Sequence, residues 1–223
     1  MIRWWGGVVW ALVGAMAAAV AVQAVLIRDA AGDGRAAFEG GLQLNEILAG
    51  PARDWDGDSL YDSRSDEWIE VRNAGASIET LEGYRLADAD RTVRVALSGS
   101  LAPGEIALVT GSAAVAWQRS QGLTASGLSL NNAGDTVFLL RVAGTDTTIV
   151  DSHTYGSIEG GSDRSVGRST GSGEWMLFDF LNRYTGSGTP GGTGCAPTPG
   201  GANECAPTGV ESTTWGAIKR LYR

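Results

Sequence analysis

Residues 42–88 read "LQLNEILAGPARDWDGDSLYDSRSDEWIEVRNAGASIETLEGYRLAD". Two strand-length apolar runs, "LQLNEILA" and "EWIEVRN", flank a loop whose Asp, Gly and Ser favour turns over helix. In the second run Trp68, Ile69 and Val71 supply apolar bulk and Glu70 and Arg72 alternate with them, which predicts a half-solvated strand. The pattern repeats downstream in "YRLAD", "RTVRVAL", "EIALVT", "DTVFLLRV" and "DTTIVDSHTYG", each bounded by Gly, Asn, Asp or Pro. "NNAGDT" and "RVAGTDT" put glycines where tight connections need positive φ. Val137 and Leu139 share one face of a hairpin arm, and Ile149 or Val150 is expected to meet them from the second arm, depending on register. Only "AAVAWQRSQGL" reads as a helix inside this region, because the chain's 33 glycines interrupt longer ones. The fold class is therefore all-β.

The remaining segments frame one domain. With 223 residues the chain has enough length for a single sandwich core. No charge occurs from Trp4 to Ile27, with Arg3 before and Arg28 after. Residues 1–28 are thus either a signal peptide, cleaved after "VQA" at 22–24, or a retained membrane anchor, and both export the rest of the chain. Residues 29–41 are a flexible linker, 42–203 the sandwich, and 204–223 a C-terminal tail. The stretch from Gly186 to Gly209 is dominated by Gly, Pro, Thr and Ala and is expected to wander over the surface. An exported chain meets an oxidising compartment, so Cys195 and Cys205, its only cysteines, are expected to pair and to be that stretch's main restraint. A loop this short contributes roughly 2 to 3 kcal/mol in the chain-entropy model. In "ESTTWGAIKRLYR", Trp215, Ile218 and Leu221 or Tyr222 recur at helical spacing. That short amphipathic helix, residues 212–223, serves either as a docked element, a tail read by sorting machinery, or a membrane-surface contact. Against 25 acidic residues the chain carries 17 Lys and Arg, giving −8. Lys219, Arg220 and Arg223 form the one basic cluster, so nucleic-acid binding is not expected.

The stretch 42–88 resembles the opening half of a bacterial lamin-tail domain, an immunoglobulin-like β-sandwich. Further pieces appear in the family's order: "LAPGEIALVT", the hairpin "LSLNNAGDTVFLLRVAGTDTTIVDSHTYG", "SVGRS" with its Ser-x-Gly-Arg pattern, and "TPGGAN" with its closing Pro-Gly-x-x-Asn. The resemblance implies a lamin-tail β-sandwich that serves as a scaffold for interaction, not turnover.

Among chemical signals, "DWDGDSLYDSRSDE" is the most specific. Asp54, Asp56 and Asp58 alternate so that several oxygens converge, as in calcium loops, with Asp66 or Glu67 completing the set. An EF-hand loop would require Gly at Ser59 and Glu at Ser65, so the expected Ca²⁺ site is a different loop; the competing reading is a solvated acidic turn. Glu46 with Asp66 or Glu67 is weighed as a glycosidase pair. The structural alternative has Glu46 accepting hydrogen bonds from loop backbone or from an Arg such as Arg168. His153, the sole histidine, follows Asp151 and Ser152 in a strand, where neighbours cannot form a triad. The sequence therefore predicts a non-catalytic binding or structural module of the cell envelope or extracellular space, recognising a surface protein or glycan. Its rivals are a nuclease or glycosidase, alone or as an accessory domain, and a subunit of a surface array.

Overall fold

A computed structural model describes residues 41–170 and 172–205. The export segment 1–28, nearly all of the linker and the helix expected within 212–223 lie outside the described residues. In chain order the elements are β1 (Leu42–Leu48), β2 (Trp68–Asn73), β3 (Glu79–Thr80), β4 (Tyr84–Ala87), β5 (Val93–Ala96), β6 (Ser100–Leu101) and β7 (Ile106–Thr110). Next come α1 (Gly111–Ser120), β8 (Gly134–Ala143), β9 (Asp146–Gly156), β10 (Ser165–Arg168) and β11 (Trp175–Phe178). One sheet has the order β11-β10-β1-β2-β7, the other β5-β4-β8-β9, and β3 with β6 forms a small ribbon. All named pairings are antiparallel.

Alternation builds the core. Leu42, Leu44 and Ile47 of β1 and Ile69 and Val71 of β2 bury against Leu86, Val95, Val137, Leu139 and Tyr155 of the other sheet. Each such apolar side chain contributes about 1.5–3 kcal/mol on leaving water, which is the main gain of bringing two sheets together. The predicted helix is α1, with the Thr110 side chain accepting from the Ala113 N–H at its start and Arg119 in its last turn. Buried Gln118 holds the next loop, donating to the Arg94 and Gly127 carbonyls and accepting from the N–H groups of Ser126 and Gly127.

The hairpin register decides between the two candidates: Val150 packs against the core cluster that holds Val137 and Leu139, but from a bulge. Val137 pairs with His153 and Leu139 with Asp151, and after a bulge Leu140 pairs with Ile149. Val150 is the extra residue, so neither it nor Ile149 lies opposite Val137 or Leu139. The shift places Asp151 across from core residue Leu139, facing the other sheet. Its carboxylate accepts the Leu44 N–H at 2.9 Å and two contacts from Arg168 at 3.0 Å. Arg168 also donates to the Leu44 carbonyl, so Asp151 ties β9 to β1 and β10. Removing one partner of a buried pair strands the other. Asp151→Ala should therefore cost about 3 kcal/mol of stability, measured by urea unfolding; a loss under about 1 kcal/mol would contradict this role.

Candidate functional site

Two polar constellations lie outside the apolar core. The first is on the outer face of the five-stranded sheet. Between Leu44↔Val71 and Ile47↔Ile69 the register of β1 slips, so Asn45 and Glu46 together oppose Glu70. All three side chains are buried, with Glu46 and Glu70 at 0 % exposure. Glu70 is thus not half-solvated as its alternation suggests. The segment from Thr193 to Asn203 covers that face.

The cover is held by the carboxylates. Thr198 donates its N–H and hydroxyl to Glu46, and Ser165 of β10 donates its hydroxyl to the same group. Gly200 donates its N–H to one oxygen of Glu70 and Asn45 its amide to the other. Asn203 donates to the Asn45 carbonyl at 2.8 Å. Upstream, Asp179 accepts from the N–H groups of Tyr184 and Gly194. These bonds, added to the Cys195–Cys205 disulfide with its Cα atoms 5.3 Å apart, restrain a stretch expected to wander. Glu46 does accept from loop backbone as one sequence reading had it, but Arg168 is not its partner. Glu46 faces Gly167, and the next residue along β10 points the opposite way, to Asp151. A Cβ on Gly167 would lie 2.5 Å from the Asn203 amide nitrogen, so only glycine lets the cover approach there.

The second constellation is the loop 53–66. Asp54, Asp56 and Asp58 bring one carboxylate oxygen each within 4.8 Å of one another. The same side chains form a ladder of turns: Asp54 accepts from Gly57 and Ser59, Asp56 from Asp58, and Asp58 from Leu60. Ser59 has φ 72°, the left-handed conformation for which an EF-hand uses Gly. Asp66 and Glu67 do not join the three. Asp66 accepts from the N–H groups of Trp55, Asp56 and Asp62 and so gathers both limbs of the loop. Glu67 points inward and accepts from the Leu130 N–H at 3.2 Å. Asp163, unnoticed in the sequence, anchors the loop's base through Ala52, Arg53 and the Trp55 indole. Trp55 then packs edge-on against Trp68, 6.0 Å between centroids.

The remaining sequence candidates sit apart. His153 stacks on Trp175, with ring centroids 3.7 Å apart, and its Nε2 lies 3.7 Å from Glu159. Glu46, Asp66 and His153 thus each have separate partners and do not share a cleft. A cavity of about 480 Å³ opens instead beside the cover, lined by Asn45, Arg72, Leu101, Gly104, Glu105, Ile106, Gly200 and Ala202.

Burial raises three carboxyls. That of Glu67 is pushed up to about 8 by burial, and that of Glu70 also to about 8, by burial and then by the charge of Glu46. Glu46 itself is raised, mainly by burial. Asp62 goes the other way, held low by the N–H groups of Arg64 and Ser65. A carboxyl raised above its usual 4.5 binds its proton more tightly in the folded than in the unfolded chain. Its contribution is then fully present below about 4.5 and is lost as pH rises to about 8. One Glu67 oxygen is buried without a partner, which makes it the clean test. Glu67→Gln should raise the melting temperature at pH 9 by about 5 °C or more and change it little at pH 4. An equal shift at both pH values would show that Glu67 does not titrate in this range.

The family model of the lamin tail domain matches residues 35–157. No curated protein and no solved structure matches the chain. The matched region runs from the approach to β1 through the end of β9, whereas β10, β11 and the cover lie beyond it. Covering more than half of the chain, with the two-sheet sandwich behind it, the match shows that this protein belongs to the lamin tail domain family, an immunoglobulin-like fold that is not enzymatic.

Proposed function

We propose that this chain is an exported, non-catalytic binding module that recognises a protein or glycan at the cell surface or in an extracellular assembly, with its acidic loop stiffened by Ca²⁺. The observation that carries the reading is how the buried carboxylates are used. Glu46 and Glu70 are buried acids brought opposite each other by the bulge in β1, yet both are engaged in holding down the cover. A hydrolase needs its acid and base to face a substrate. The charge-free run Trp4–Ile27 supports export, and the paired cysteines fit an oxidising compartment. Residues 212–223 supply a second attachment, to sorting machinery, in this reading.

Calcium enters through Asp54, Asp56 and Asp58. Their oxygens match the hard-oxygen preference of the ion, and it would relieve the repulsion among three clustered carboxylates. Asp66 stays with the backbone and Glu67 stays inside, so further oxygens come from the loop or from solvent. Millimolar Ca²⁺ should raise the melting temperature over that in chelator, and Asp56→Asn should abolish the rise. An unchanged transition would remove calcium from this reading.

Function is tested with the tagged full-length chain on envelope fractions, with purified polysaccharides and DNA assayed in parallel. Reproducible retention of a partner without substrate turnover is expected. Hydrolysis that disappears in Glu46→Gln would overturn the module reading in favour of a hydrolase. Concentration-dependent self-assembly without a partner would favour a surface-array subunit instead.

A further inference from the structure

Each sheet leaves two outer strands, and among the described residues three of the four are guarded. Helix α1 packs on β5, a bridge from Gly192 to Leu177 lies against β11, and β9 carries its bulge at Val150. Strand β7 carries none of the protections that a strand builds into itself: "IALVT" contains no charge, no Pro and no bulge. Its free side is defined by its pairing. The Asn73 N–H bonds to the Glu105 carbonyl and the Gly111 N–H to the Glu67 carbonyl, which makes Arg72↔Ile106 and Glu70↔Leu108 the pairs that do not exchange bonds. Ile106 and Leu108 therefore direct their N–H and C=O away from β2. Leu108 is 38 % exposed.

Beside this edge sits the cavity described above. Among the described residues the Arg72 side chain makes no hydrogen bond or ion pair, although it is half-buried and lines that cavity. It is the one cation of the cavity wall, and the acid there, Glu105, is engaged with the Ala102 N–H. A guanidinium left without a carboxylate in a chain of net charge −8 lacks the partner that such groups usually find. Leu101, Ile106 and Ala202 supply the apolar part of the wall.

Resting on the binding-module reading, we propose that the edge of β7 takes an extended acidic peptide segment of a partner protein. Its main chain pairs with Ile106 and Leu108, and one carboxylate enters the cavity to meet Arg72. The reach is sufficient. An added strand lies two strand spacings, about 10 Å, from the Arg72 backbone, a gap that an Arg and a Glu side chain close from opposite sides. Specificity then has two sources: strand addition accepts many sequences, and the half-buried guanidinium selects those with an acidic residue on the outer face.

The test uses a dye-labelled, blocked nonapeptide of alternating Thr and Val with one central Glu, and the same peptide with Gln. Fluorescence anisotropy with the full-length chain should show the Glu peptide binding about tenfold or more tightly. Arg72→Gln should erase that difference while leaving weak binding of both. Leu108→Pro, which removes an outward N–H without touching the β2 pairing, should abolish both. Should that variant fail to fold by far-UV circular dichroism, the Arg72→Gln comparison still decides. Equal affinities for the two peptides, or no binding of either, would overturn the proposal. So would glutarate displacing the Glu peptide at comparable concentration, which would mark a small-anion site, or β7-dependent dimerisation in sedimentation, which would mark a second copy as the occupant. If envelope partners are retained by wild type and by both variants alike, the binding-module reading survives and this site alone falls.

Discussion

The bulge in β1 is the constraint on which much of the architecture depends. One extra residue puts Asn45 and Glu46 across from Glu70, and two carboxyls then crowd a face that would otherwise alternate freely with water. Burying such groups is costly unless every oxygen finds a donor. Thr198, Gly200, Ser165 and Asn45 are those donors, and three of them belong to segments that join late in the chain. The outer face is in this sense a second, polar core, held by directed bonds where the inner one is held by area.

The two cores differ in what they tolerate. Apolar packing between the sheets accepts swaps of similar volume. The polar layer does not, because removing a donor leaves an acceptor stranded. Gly167 shows the same closeness of fit in steric form, since its missing side chain is where the Asn203 amide sits. Asp151 and Arg168 extend the pattern to the sandwich's flank, where strands of different sheets have no ladder in common.

Legibility in the sequence tracks the range of the interaction. Strands and α1 are readable because alternation and capping are local: "DTTIVDSHTYG" coincides with β9, and Thr110 caps the predicted helix. The bulge at Val150 is not, because nothing in Ile149 or Val150 marks which of them is surplus. Glu70 looks half-solvated for a similar reason, its covering residue Gly200 lying 130 positions away. The acidic loop is legible in part. Alternation gathers Asp54, Asp56 and Asp58, but Asp66, at the close of the turn, and Glu67, at the entry to β2, point to different surroundings. The closing "TPGGAN" is visible as a resemblance, and its chemistry, three polar groups for two buried acids, requires the structure. Arg72 gives no signal at all, since a lone arginine in an alternating strand is ordinary.

The position of the cover also bears on how the chain reaches its native state. A polypeptide emerging from its N-terminus presents β1 and β2 long before residues 193–203 exist to shield them. Until then Glu46 and Glu70 can stay hydrated only if that face remains open, so the final fastening waits for the last part of the domain to appear. The disulfide, too, needs the end of the domain, since one of its partners is Cys205. Products truncated before the cover would carry Glu46 and Glu70 on an open sheet face, without the donors that the late segment supplies.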